Sequence, residues 1–177
     1  KSNAEYIANL IGQKHGSVLE HAVWNFIIAG VSRSFSHELV RHRAGFGYSQ
    51  LSQRYVDESD ASFVEPDVIA EDEELHRIWL RAIESSRQAY LELVERLMEK
   101  LREVPDRTQR RKMARQAARS VLPNATETII FVTANARALR HFIELRGSEW
   151  AEAEIRKVAL QVLRIMQREA PNIFGDY

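Results

Sequence analysis

From Leu75 to Leu101 the chain places apolar side chains at helical spacing, with one polar turn at Glu84–Gln88. Leu75, Ile78, Trp79, Ala82, Ile83, Ala89, Tyr90, Leu93, Val94, Leu97 and Leu101 form one stripe, and a stripe of that length must lie against another layer of structure. Pro105-Asp106 ends this segment. A second helical pattern follows from Thr108 to Val121, with a basic start of Arg107, Arg110, Arg111 and Lys112, and stops before Pro123. Any sheet has to be built from the residues on either side of this helical pair.

Two runs have strand character. Val23–Gly30 is uninterrupted apolar sequence rich in aromatic and β-branched residues, which predicts a buried strand. Thr126–Thr133, with its Thr and Ile pairs, predicts another. Ala4–Ile11 predicts a short helix. Ser32 is positioned to cap a helix through Phe35, Leu39 and Val40 that reaches the Arg41-His42-Arg43 triplet near its C-terminal end. Asn135 is positioned to cap a helix running to Leu145, and Glu149–Glu169 predicts a last amphipathic helix before Pro171. Residues 56–72 are acidic and poor in large apolar groups, the composition of an exposed connection. Two strands do not complete a sheet. Either a further strand lies within 44–70, or the core is shared with partner subunits.

Charge and cysteine usage narrow the chemistry. Twenty-five basic and 25 acidic residues among 177 cancel, so bulk attraction to nucleic acid or to an acidic membrane is not expected and anion binding has to be local. No cysteine is present, which excludes disulfides and thiolate nucleophiles. No apolar run is long enough to span a bilayer, so a cytoplasmic protein is expected. No Gly-rich phosphate loop of the dinucleotide-binding or P-loop type is found. His15 and His21 lack an accompanying carboxylate set, so no metal site is expected.

Residues 41–55, RHRAGFGYSQLSQRY, concentrate Arg41, His42, Arg43 and Arg54 among aromatic residues and glycines. Guanidinium forks match phosphate oxygens, and flat side chains beside them suit a flat, anionic ligand. Asn135-Ala136-Arg137 opens a helix directly after a strand, where free backbone N–H groups favour an anion. Arg140, His141 and Arg146 add a second positive patch along the same helix.

These residues resemble the flavin-dependent thymidylate synthases. The resemblance rests on the Arg41-His42-Arg43 triplet followed by Ser52-Gln53-Arg54-Tyr55, on Leu122–Thr128 with 133–137 and His141–Arg146, and on His15–His21 ahead of the first strand. It spans about residues 7–174. It implies an α+β fold with a small central antiparallel sheet flanked by long helices, as a single domain over 1–177 lacking part of the family's N-terminal region. It also implies a homotetramer with active sites shared between subunits. The implied reaction is C5-methylation of dUMP to dTMP, with FAD, NADPH and methylenetetrahydrofolate, and with no cysteine nucleophile.

Carried over by position, His15, Ser17, Arg41, His42, Arg43, Asn135, Arg137 and His141 would bind FAD. Glu38, Gln50, Ser52, Arg54, Arg119 and Arg146 would bind the nucleotide, with Arg146 and Ser52 as catalytic residues. Two features depart from the family pattern. Eight residues, Ala44–Leu51, separate the triplet from Ser52 where seven are usual, and Glu38 stands where glutamine is common. These departures make UMP an alternative substrate, since a site accepts an added hydroxyl only where a partner for it exists.

Overall fold

The computed structural model describes residues 2–177. Helix α1 (Asn3–Gly12) opens with a capping box, in which the Ser2 side chain accepts from the Glu5 N–H and the Glu5 carboxylate accepts from the Ser2 N–H. A 3-10 turn (Gly16–His21) leads into strand β1 (Val23–Ser32), then helix α2 (Arg33–Leu39) and strand β2 (Phe46–Gln50). Helices α3 (Asp67–Ala70), α4 (Glu73–Lys100) and α5 (Arg107–Ala118) follow. A 3-10 turn (Arg119–Val121) precedes strand β3 (Glu127–Asn135), and helices α6 (Ala136–Arg146), α7 (Ala153–Glu169) and α8 (Pro171–Phe174) complete the chain.

The three strands are ordered β1-β3-β2. Asn135 N–H donates to Gly45 C=O at 3.0 Å and Leu51 N–H to Ile129 C=O at 3.0 Å, so β2 runs antiparallel to β3. The contacts Ala136 N–H to Ala22 C=O and Arg33 N–H to Thr126 C=O set the same relation between β3 and β1. The third strand within 44–70 is therefore β2. The architecture is a small antiparallel sheet flanked by long helices.

The chain divides into two compact units. One comprises Lys1–Ile28, Phe35–Ser49 and Ile130–Tyr177, the other Ala29–Ser34 and Gln50–Ile129. In the first, β3 alternates strictly. Ile130, Val132 and Ala134 are buried, while Phe131 is exposed. Phe35, Leu39, Leu139, Phe142, Ile155, Met166 and Phe174 complete that core. In the second unit α4 packs on α5, with Tyr90, Ala114 and Ala118 fully covered.

Three expectations need correction. Strand β1 is not buried on both faces, because Val23 is 53% and Ile27 72% exposed. The chain's own helices do not cover that side. Helix α2 stops at Leu39, so the Arg41-His42-Arg43 triplet lies beyond the helix rather than at its end. The Tyr48 hydroxyl sits between the carbonyls of Leu39 (2.9 Å), which also accepts from the His42 N–H (3.0 Å), and His42 (2.6 Å), and ties the turn after the helix to β2. Residues 56–72 are held in place and not merely exposed. Arg115 bonds the Tyr55 carbonyl (3.2 Å) and pairs with Asp57, Arg87 bonds the Ser59 carbonyl (3.1 Å), and Val64 N–H donates to Ala125 C=O (2.8 Å). Glu58, within this stretch, is buried.

Candidate active site

The triplet and helix α6 enclose a cleft of about 260 Å³ in the first unit. Arg41, His42 and Arg43 form one wall, His141 and Arg146 the other, and Phe46, Ala138 and Leu145 supply apolar surface. Arg146, the last residue of α6, is held from two sides. Its Nη1 donates to Glu38 Oε2 at 2.8 Å and its Nε to His42 Nε2 at 3.1 Å. Glu38 reaches it because α2 ends one residue later, and His42 because the following turn folds back under the Tyr48 hydroxyl.

His42 is buried, with its ring edge-on to Phe142 at 5.2 Å. Burial, then the adjacent Arg146 charge, then His141, push its pKa down to about 4. A neutral ring whose Nε2 accepts from arginine carries its proton on Nδ1. Burial also pushes the Tyr48 phenol above its usual range.

This burial of a neutral histidine predicts acid sensitivity. The folded protein resists protonation at His42 down to pH about 4, whereas the unfolded chain takes the proton near 6.5. Stability contributed by the neutral ring is present above about 6.5 and is lost as pH falls toward 4, by at most about 3 kcal/mol. Urea unfolding across that window is expected to show the slope in the parent and its loss in His42→Gln. Equal slopes in both proteins would exclude this origin.

Arg41 and Arg43 are exposed at the cleft and make no ion pair among the described residues. Unpaired guanidinium groups beside apolar surface fit the diphosphate and flat ring of a flavin dinucleotide. His15 immediately precedes the turn that exposes Ser17, and the Arg137 side chain packs on Gly16 within it while pairing with Glu20 at 2.5 Å. The expected cofactor residues His15, Ser17 and Arg137 are thus neighbours. Asn135 caps α6, its Oδ1 accepting from the Ala138 N–H at 2.9 Å. One of the N–H groups expected to face an anion is therefore already satisfied.

The remaining expected residues lie in the second unit. Gln50 Nε2 donates to Thr128 Oγ1 at 3.2 Å, and Ser52 Oγ accepts from the Arg54 N–H at 3.3 Å, tightening the turn that carries both. Arg54 Nε and Gln53 Nε2 are buried without a hydrogen-bond partner among the described residues, donors that suit an acceptor-rich ligand. Three residues here were missed in the sequence. Gln53 sat unremarked inside the S-Q-R-Y block. Half-buried Arg33 lies in the field of both Glu58 and Arg119, and burial lowers its pKa against the raising effect of Glu58. Burial likewise pushes the Glu58 carboxyl up. No local signal marks Arg33 or Glu58, because their partners are remote in sequence.

The sequence profile of the family described as "Thymidylate synthase complementing protein" matches residues 1–172. The chain is 54% identical over 176 residues to a protein of Mycolicibacterium gilvum named flavin-dependent thymidylate synthase, covering 99% of this chain and 70% of that one. Proteins of the same name from Mycolicibacterium vanbaalenii (53%) and Mycobacterium tuberculosis (51%) match with the same coverage. With nearly the whole chain matched and the RHR cleft in place, the protein belongs to the flavin-dependent thymidylate synthase family.

Proposed function

We propose that this protein catalyses FAD-dependent C5-methylation of dUMP to dTMP, in the cytoplasm, with methylenetetrahydrofolate as carbon donor and NADPH as reductant. The observation that carries this reading is Arg146, fixed between Glu38 and neutral His42 at a cleft lined by unpaired Arg41 and Arg43. When bound, FAD and the folate supply the hydride and the one-carbon unit. Arg41 and Arg43 bind the cofactor's diphosphate, with His15, Ser17, Asn135, Arg137 and His141 around the rest. Gln50, Ser52, Arg54 and Arg119 hold the nucleotide's phosphate and sugar.

Arg146 acts on the pyrimidine. Its Nε and Nη1 are engaged by His42 and Glu38, so Nη2 is the nitrogen left to donate to a ring carbonyl. Addition at C6 would place negative charge on that oxygen and make C5 nucleophilic toward the one-carbon unit, and a fixed cation there would stabilise that charge. The acceptor-only face of His42 keeps the guanidinium from turning away.

The exposed apolar side of β1 and β3, with Val23, Ile27 and Phe131 at 53%, 72% and 44% exposure, supports a homotetramer whose subunits cover one another's sheets. Glu38 is committed to Arg146, which leaves it less suited to receive a ribose hydroxyl and favours dUMP over UMP.

The test is direct. Purified protein given FAD is expected to take up a flavin band near about 450 nm and to form dTMP from dUMP, methylenetetrahydrofolate and NADPH. Failure to bind flavin, or product only from UMP, would overturn the assignment.

A further inference from the structure

We infer that Ile173, Asp176 and Tyr177, in the segment that follows α7, form a latch that fixes the rotation of α6, which makes Arg140 a positioning residue for Arg146. Its catalytic consequence rests on the function proposed above. Arg140 looked in the sequence like part of a ligand-facing positive patch. Instead its guanidinium is consumed internally. Nη1 and Nη2 each donate to one Asp176 oxygen at 2.6 Å, and Nη1 also bonds the Ile173 carbonyl. The guanidinium lies 4.7 Å from the centre of the Tyr177 ring. The Tyr177 hydroxyl sits 3.1 Å from the Arg140 carbonyl and 3.0 Å from Glu144 Oε1.

The two-pronged pair is geometrically demanding, because both forks must be coplanar. The Arg140 side chain is 13% exposed and the Asp176 carboxylate 45%, so the guanidinium is held within the fold while water reaches its partner, and the pair's value lies in its two-point geometry. The latch is rooted in the core through Phe174, fully buried and edge-on to Trp24 at 6.1 Å.

The placement around the helix explains the consequence. Arg140 and Glu144, four apart, share one face of α6. His141 and Leu145 occupy the next face and line the cleft. Ala136, Leu139, Phe142 and Ile143 face the core. Leu139, Phe142 and Ile143 anchor that inner face along one line, with alanine at its start. The latch supplies a second fixed line along the helix. A roll of about 20° would carry a guanidinium some 7 Å from the axis through roughly 2 Å, and displacements of that order cost about a hundredfold in rate.

The test uses Asp176→Asn, Tyr177→Phe, the double variant and Asp176→Glu. The first readout needs no activity. The double variant is expected to raise the His42 titration midpoint, followed by NMR of its ring, by about one unit or more, because Arg146 no longer stays on Nε2. The second readout is kinetic. Asp176→Asn is expected to lower kcat about tenfold with little change in the KM for dUMP and unchanged FAD content, and Asp176→Glu to recover most of the loss. An unmoved His42 midpoint in the folded double variant would overturn the latch. So would a kcat loss that follows only the folded fraction, with Asp176→Glu no better than Asp176→Asn. If the parent protein forms no dTMP, the proposed function fails while the His42 titration still decides the latch.

Discussion

Replacing Arg146 with alanine is expected to lower kcat by about 10² to 10³, the loss typical of removing one preorganised donor from a developing negative charge, while leaving the flavin bound. Arg146 is where the two best-defined contacts of the cleft meet, with Glu38 at 2.8 Å and His42 at 3.1 Å. These contacts fix the guanidinium before substrate arrives, so no reorganisation is needed in the transition state. Arg146→Lys is expected to recover little, because a single ammonium cannot serve a carboxylate, a ring nitrogen and a carbonyl from one rigid fork. Removing the arginine also leaves the Glu38 carboxylate, 28% exposed, without its counter-ion. A modest stability loss of about 1 kcal/mol should accompany the kinetic effect. Steady-state kinetics with dUMP, alongside FAD absorbance and a thermal melt, separates the two. A kcat within threefold of the parent would remove Arg146 from the chemistry.

The relation between Arg146 and His42 also gives the triplet's middle residue a role apart from its neighbours. Arg41 and Arg43 stay exposed and charged at the cleft, whereas His42 turns inward and gives up its charge. A protonated ring at that place would face a guanidinium 3.1 Å away with a donor instead of an acceptor. Alternation between two outward cations and one inward neutral acceptor would let one short turn both bind an anion and orient the arginine proposed to act on the pyrimidine.

Much of the frame was legible because its signals are local and periodic. The α4 stripe, the Asn135 cap and the two β-branched runs each appear in the structure at or near the expected residues. What was not legible depends on partners remote in sequence. Helix α2 ends where the Tyr48 hydroxyl ties the following turn to β2 through the carbonyls of Leu39 and His42, and no propensity within 32–43 encodes that. Residues 56–72 look like exposed acidic chain until Arg87 and Arg115 are seen to hold them. A solid apolar run such as Val23–Gly30 states that both faces of a strand need cover. It does not state whether the cover comes from the same chain. The Glu38–Arg146 pair spans 108 residues, and no local signal encodes it; the family resemblance implies that both residues meet the nucleotide, not that they pair with each other.

Gly45→Ala is expected to be the most destabilising single methyl group that can be added to the cleft. Gly45 has φ +76°, and a Cβ there would lie 2.7 Å from Asn135 Nδ2, 2.8 Å from Asn135 Oδ1 and 2.8 Å from the Ala138 Cβ. Left-handed backbone alone costs an L-residue about 1–2 kcal/mol. The contact adds a second loss, because Asn135 must swing away and release the Ala138 N–H it caps at 2.9 Å, worth about 1 kcal/mol. The sum is on the order of 2–3 kcal/mol, a large part of a typical domain's stability. Gly30 provides the control. Its φ is also positive, +70°, but nothing lies within 4 Å of the Cβ site, so Gly30→Ala isolates the backbone cost. Urea unfolding is expected to place Gly45→Ala about 1 kcal/mol or more below Gly30→Ala. It should also show weaker flavin retention in Gly45→Ala alone, since only there do the start of α6 and the triplet turn move together. If the two variants prove equally stable, the Asn135 side chain yields without cost, and the close approach of the turn to α6 does not hold the cleft's shape.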